Sequence, residues 1–145
     1  MKYIFMMLCL FFGFVGSGFA QSEPSQSVLI FTVANFESNN GKAVINLFRE
    51  QDKIPKKPFK IVTAKIINKA AVLQVNDLPF GDYAAILYHD KNGNDKLDHR
   101  FFFPAEPLTF TNDWHLSLLS GMPNFEKLRF SFSATSDTVK LRFGE

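Results

Sequence analysis

The chain has a single cysteine and almost no net charge, and each scarcity excludes a class of chemistry or partner. Its single cysteine, Cys9, lies in an N-terminal apolar stretch, so disulfides and a cysteine nucleophile are excluded for the remainder. The 16 basic and 14 acidic residues nearly cancel. Such a balance gives no electrostatic reason to expect nucleic acid or an anionic membrane surface as a partner.

The N-terminal segment has the three-part layout of a secretory signal. Lys2 precedes an apolar stretch over residues 3–15, and small residues, ending in Gly18 and Ala20, precede an expected cut before Gln21. The alternative is a retained membrane anchor, but the stretch is shorter than the roughly 20 residues that a bilayer requires. We therefore predict a signal peptide over 1–20, a disordered spacer over 21–26 and one domain over 27–145. The mature chain would be periplasmic or secreted, without stable membrane insertion.

The predicted domain has the residue patterns of an all-β fold. Seven segments are rich in β-branched and aromatic residues or alternate between apolar and polar side chains: 28–36, 42–49, 60–67, 70–75, 83–89, 127–133 and 138–143. Asn40-Gly41 predicts a tight hairpin between the first two. No sustained helical period occurs, although a short helix within 113–119 is an open alternative. These features predict a single antiparallel β-sandwich of about seven strands with one long irregular loop.

The irregular segment over 99–124 carries many apolar side chains for a loop. They are Phe101, Phe102, Phe103, Trp114 and Met122. Exposed aromatic patches of this kind mark interaction sites, so the segment predicts a binding face for a protein or small-molecule ligand. The alternative is that these side chains cover one end of the sandwich.

Residues 90–98 place oxygen-bearing side chains at alternate positions. Asp90, Asn92, Asn94 and Asp98, with the main-chain carbonyl of Lys96, match the first nine positions of a calcium-binding loop, and calcium prefers six to eight oxygen ligands. Position six holds Asp95 instead of glycine, and position twelve holds Phe101 instead of glutamate. Glu106 is the nearest acid that could replace it.

Two interpretations of this loop follow from the residues. The flanking segments resemble strands and loops, so an ordinary helix-loop-helix site is excluded, and any calcium affinity would be weak. The alternative is a metal-free turn in which Asn and Asp side chains cap their own backbone.

Ordered motifs across the expected mature chain resemble one bacterial family. These are Leu-Pro-Phe-Gly-Asp-Tyr at 78–83, the run 88–98, Pro-Ala-Glu-Pro at 104–107, Phe-Thr-Asn at 110–112 and Met-Pro-Asn-Phe at 122–125. The chain resembles the DUF2141 family, and the resemblance implies an exported protein of unknown activity. The Leu-Pro-x-Gly-x-Tyr segment is also similar to transthyretin-like and carboxypeptidase-regulatory β-sandwiches. Asp95 and Phe101 to Phe103 depart from the glycines usual in the family.

Three functions remain open on the sequence. The favoured one is a non-catalytic binding or accessory module. A hydrolase using His89, His99 or His115 with a nearby acid is an alternative, because histidine can transfer protons at neutral pH. However, no nucleophile-elbow motif and no metal-ligating histidine spacing is present. The third is a structural part of an envelope complex.

Overall fold

The computed structural model describes residues 27–100, 103–117 and 119–144. The predicted signal peptide and spacer lie outside this range. The strands are β1 (Val28–Ala34), β2 (Lys42–Phe48), β3 (Lys60–Lys65), β4 (Ala71–Asn76), β5 (Gly81–Asp90), β6 (His99–Arg100), β7 (Phe103–Pro104), β8 (Leu108–Phe110), β9 (Arg129–Phe132) and β10 (Thr138–Arg142). One helical turn, α1, covers Phe125–Leu128. The fold is all-β, as predicted.

Two sheets form a sandwich. One has the strand order β10-β1-β4, and the other has the order β3-β2-β5-β8, with β9 also paired to β5. Strand β9 pairs with the first half of β5 and β8 with the second half, so the two short strands share one side of it. β1 and β10 are parallel, whereas the other strand pairs are antiparallel.

The burial of each strand follows from its position. Strand β4 alternates strictly between buried and exposed residues because only one of its faces meets the core. The last eight residues of β5 are all buried, because the main core covers one face and a second cluster covers the other. Phe48, Phe110 and Leu128 form part of that second cluster, so α1 and the irregular segment add a partial third layer.

The predicted hairpin between the first two strands is wrong. β1 pairs with β4 and β10, whereas β2 pairs with β3 and β5, so the connection passes from one sheet to the other. Phe36 in this connection is buried and its amide donates to the carbonyl of Lys69. Gly41 has a φ of 75°, but Asn40 is not among the residues with positive φ. A type I′ hairpin turn requires positive φ at both of its central residues, so the chain does not fold back there.

The short helix considered within 113–119 does not form among the described residues of that segment. Ser117 and Ser120 instead exchange side-chain hydrogen bonds with each other's amides, at 2.8 and 3.0 Å, and such bonds compete with a helix. The helical turn lies further on, where the Asn124 side chain caps it by accepting from the amide of Lys127. No helix among the described residues is long and apolar enough to span a membrane.

Candidate functional site

The loop over 90–98 begins at the end of β5, at one end of the sandwich. Asp90, the last residue of β5, is fully buried. Gly41 packs directly against it, since a Cβ atom at position 41 would lie 2.0 Å from the main-chain oxygen of Asp90. Position 41 therefore requires glycine, both for this contact and for its φ of 75°.

The carboxylate of Asp90 organises the turn. Its Oδ1 accepts from the amides of Gly93 and Asn94, at 2.8 and 3.2 Å, and its Oδ2 accepts from the amide of Asp95 at 2.9 Å. Asp95 adopts the left-handed conformation, with φ of 63°, at the position where calcium loops have glycine. Both oxygens of Asp90 are thus engaged by backbone donors.

The side chains of Asn92, Asn94 and Asp98 converge. The side-chain Nδ2 of Asn92 donates to Asp98 Oδ2 at 2.6 Å. The Nδ2 of Asn94 lies 3.1 and 3.2 Å from the two carboxylate oxygens of Asp98. The side-chain Oδ1 atoms face the backbone: Asn92 Oδ1 accepts from the main-chain N–H of Asn94, and Asn94 Oδ1 accepts from the main-chain N–H of Lys96. The capped turn considered from the sequence is therefore present.

Glu106 joins this loop to the irregular segment. It is 8% exposed, and it accepts from the amides of Lys91 at 3.0 Å and Asp98 at 3.4 Å. The amide of Ala105 also donates to the carbonyl of Asp98. The structure thus brings Asp90, Glu106 and the three converging side chains to one loop.

The predicted calcium ligands lie close together in the sequence, but most of them already accept hydrogen bonds from backbone N–H groups. Lys96 is exposed, and among the described residues no three His, Cys, Asp or Glu side chains are grouped so as to hold a metal ion. The site therefore offers fewer carboxylates than an ordinary calcium loop.

The carboxylates of the loop influence the pKa of Tyr88, which is buried two residues before Asp90. Burial raises the pKa of Tyr88 to about 12, and four nearby carboxylates, those of Asp90, Glu106, Asp95 and Asp98, add to the shift. A lysine, Lys42, lies opposite Asp90 on β2 and is the cation that forms ion pairs with Asp90 and Asp95.

The five residues of the predicted binding face have different surroundings. Phe103 is 59% exposed and Met122 is 70% exposed. Trp114 is half-buried, with its ring edge-on to Phe110 at 4.7 Å and Lys127 over its face at 5.7 Å. Phe101 and Phe102 lie outside the described residues. Trp114 therefore helps to cover the second sheet, whereas Phe103 faces solvent.

A groove that was not anticipated from the sequence lies beside Phe103. The groove has a volume of about 1150 Å³. One wall is formed by the β10-β1-β4 sheet, with Thr32, Val72 and Lys140, and the other by the irregular segment, with Phe103, Leu108 and Leu116. Val72 and Leu116 are exposed apolar residues. No local pattern could reveal this groove, because it depends on how β1, β4 and β10 are placed beside a distant segment.

The three histidines differ in environment. His89 is fully buried, and its Nε2 is 2.7 Å from the carbonyl oxygen of Asn40. Its Nδ1 has no hydrogen-bond partner among the described residues. Its ring meets Phe36 edge-on at 5.2 Å. His99 and His115 are exposed. His89 thus packs within the core end of β5.

Comparison with known protein families shows which family the chain belongs to. Residues 31–140 match the model of a family described as DUF2141, an uncharacterized protein conserved in bacteria. The chain belongs to the DUF2141 family. The matched range runs from β1 to β10, so this DUF2141 protein carries the family's signature across both sheets. No curated protein and no solved structure matches the chain.

Proposed function

We propose that this DUF2141 protein is an exported, non-catalytic binding or accessory module whose 90–98 loop holds a weakly bound calcium ion. Export is supported by the signal-like layout of residues 1–20, with its single lysine, apolar stretch and small residues before Gln21. The compartment that this implies, periplasmic or extracellular, is one in which calcium can be plentiful.

The observation that carries the calcium proposal is the convergence of Asn92, Asn94 and Asp98. Both amide nitrogens approach the Asp98 carboxylate within 3.2 Å, so rotating the amides would direct two further oxygens toward the same position. The carbonyl of Lys96 and water would complete the shell. Asp90 and Glu106 would hold the loop in place through its backbone amides.

Such a site would bind weakly, because only one carboxylate faces it and both amides must first give up hydrogen bonds. Extracellular calcium modules have Kd values of roughly 10⁻⁴ to 10⁻³ M, and affinity of this order is sufficient outside cells. The chain has no cysteine after position 9. A bound ion could therefore supply stability that a disulfide supplies elsewhere.

Thermal unfolding with calcium and with chelator tests the site. A ligand that binds only the native state stabilises it by about 1.4 kcal/mol at ten times its Kd, so the melting temperature should rise with millimolar calcium. Asp98→Ala should abolish the rise, whereas Asp137→Ala, at an exposed acid outside the loop, should retain it. A melting temperature that does not change with calcium up to about 10⁻² M, roughly ten times the highest Kd expected, would contradict the proposal.

The binding role is supported by the groove beside Phe103. It combines exposed apolar side chains on both walls, Val72 from the first sheet and Phe103 and Leu116 from the irregular segment. A pull-down from envelope fractions with wild-type protein and with Leu116→Asp tests it. A partner that is lost with the variant supports a groove-binding module, and one that is retained favours a structural role through another surface.

A hydrolase is the less favoured function. His89 is enclosed by the core, and His99 and His115 are exposed on separate parts of the irregular segment. Replacing His99 by alanine should leave partner binding unchanged, because His99 is not among the described residues that line the groove, whereas His115 is.

A further inference from the structure

The edge of the β3-β2-β5-β8 sheet that is formed by β3 and its flanking turns is strongly basic. Residues 53–69 hold six of the 16 basic residues of the chain and none of its 14 acidic ones, so the rest of the chain is net negative. All six side chains are exposed: Lys53, Lys56, Lys57, Lys60, Lys65 and Lys69. A nearly neutral chain thus has a locally positive surface, here called the basic edge (residues 53–69).

The lysines are distributed along the whole length of this edge. The turn before β3 is closed by a hydrogen bond of 2.8 Å from the amide of Lys57 to the carbonyl of Lys53, which places three lysines at one end of the strand. Asn68 and Lys69, both with positive φ, turn the chain at the other end. Between them, the six residues of β3 span about 20 Å, and β3 is the outermost strand of its sheet among the described residues.

Carboxylates of the chain do not neutralise this charge. None of the six lysines forms an ion pair with a carboxylate among the described residues. Asp52, the acid that precedes the segment, is instead held by Arg49, whose Nη2 lies 3.1 Å from Oδ1 of Asp52. Lys60 donates to the main-chain carbonyl of Asn76 at 3.1 Å. The positive charge is therefore left to solvent ions or to an external anionic partner.

Two exposed isoleucines accompany the lysines. Ile61 is 57% exposed and Ile67 is 67% exposed. Lysines on an edge strand can prevent pairing between copies, but such protection does not explain exposed isoleucines on the same edge or the lysines of the preceding turn. A protruding surface that combines basic and apolar side chains fits a lipid surface, where phosphate headgroups lie next to acyl chains.

We propose that the basic edge binds peripherally to an anionic phospholipid surface. The ammonium groups pair with headgroup phosphates, and Ile61 and Ile67 contact the boundary between headgroups and acyl chains. None of the six lysines lines the groove beside Phe103, so this attachment depends neither on a groove-bound partner nor on calcium.

Co-sedimentation with vesicles measures the attachment. The protein is isolated from cells that express the full chain, so all variants share the same N-terminus. Wild type should bind vesicles of phosphatidylglycerol and phosphatidylcholine in equal parts, and should bind vesicles of phosphatidylcholine alone at least about tenfold more weakly. Binding to the mixed vesicles should be lost at about 1 M salt, where the screening length falls to about 3 Å.

Paired variants locate the binding surface. Lys56→Gln/Lys65→Gln should weaken binding to the mixed vesicles about 30-fold, because each lysine near an anionic surface contributes about fivefold. Arg100→Gln/Arg129→Gln makes the same charge change at exposed positions outside the basic edge and should bind almost as well as wild type. Both double variants should melt within a few degrees of wild type, since neither alters a buried side chain.

An apolar pair of variants tests the isoleucines. Ile67→Ser should weaken binding by about fourfold or more, the factor for one methylene withdrawn from water. Leu119→Ser removes a side chain that is 99% exposed in the irregular segment and should have no effect.

Several results would overturn the inference. These are equal binding to both kinds of vesicle, equal losses in the two double variants, and no binding to either vesicle by wild type. If wild type ignores vesicles but retains a single-stranded DNA oligonucleotide through Lys56 and Lys65, the basic edge is a nucleic-acid surface instead.

Discussion

Two glycines at the same end of the sandwich allow a direct test of the described packing. Gly41 and Gly93 have nearly the same left-handed conformation, with φ of 75° and 73°. A Cβ at position 41 would lie 2.0 Å from the main-chain oxygen of Asp90 and 2.8 Å from Cα of Lys91. A Cβ at position 93 would meet nothing within 4 Å. The two positions share the conformational cost of alanine but differ in the steric one.

The expected losses can be worked out from this difference. Left-handed backbone costs a residue other than glycine about 1 to 2 kcal/mol, and alanine recovers about 0.4 to 1 kcal/mol by restricting the unfolded chain. Gly93→Ala should therefore lower the free energy of unfolding by about 1 kcal/mol. Gly41→Ala must also displace the backbone at the end of β5, which adds about 3 kcal/mol, at the upper end for overpacked sites.

Urea-induced unfolding, followed by fluorescence, measures both variants. The single tryptophan, Trp114, packs against Phe110 in the second cluster and reports on folding. At about 3 to 5 °C per kcal/mol, Gly41→Ala should also melt roughly 12 to 20 °C lower, and Gly93→Ala only about 3 to 5 °C lower. Equal losses at the two positions would refute the close approach of residue 41 to Asp90.

Two further predictions concern buried polar groups. Thr111 is fully buried, and its hydroxyl accepts from the amide of Ala85 at 3.0 Å and donates to the carbonyl of Leu128. Thr111→Val should lower the free energy of unfolding in urea by about 3 kcal/mol, because both partners lose a hydrogen bond. Thr111→Ser keeps the hydroxyl and should lower it by about 1 kcal/mol, and equal losses in the two variants would argue against these bonds. The pKa of Tyr88 is raised from 10.0 to about 12, so the native state holds this proton more tightly than the unfolded state does. Its stabilisation is complete below pH 10 and is lost as the pH rises toward 12, by about 2 to 3 kcal/mol; Tyr88→Phe should remove that part of the pH dependence, and an unchanged alkaline profile would contradict the shift.

The strands were predictable because their evidence is local. All seven predicted strands are present, and the inward residues of β1, Leu29, Phe31 and Val33, are buried as their alternation indicated. The short strands β6, β7 and β8 were assigned to the irregular segment, because two or three residues are too few to show a period. The pairing of strands was harder to predict from the sequence than their positions. Asn40-Gly41 predicts a hairpin, yet the chain passes there from one sheet to the other.

The candidate loop was predictable for the same reason, and its surroundings were not. Residues 90–98 are contiguous, so the positions of Asp90, Asn92 and Asp98 along the turn could be anticipated from spacing alone. The contacts of Lys42 with the loop depend on the register of β2 against β5. The groove depends on bringing residues near 32, 72, 103 and 140 together, and no spacing along the sequence encodes that arrangement.

The parallel pairing of β1 with β10 has a consequence for how the chain is made. Ile30 lies opposite Thr138, so the first strand gains this neighbour only when residues about 100 positions further along the chain are available. Contacts at such sequence separation slow folding, because a long loop must close before they contribute. During synthesis from the N-terminus, the three-stranded sheet would thus stay incomplete until β10 has been made. The pairing of β10 with β1 would then complete this sheet late in folding.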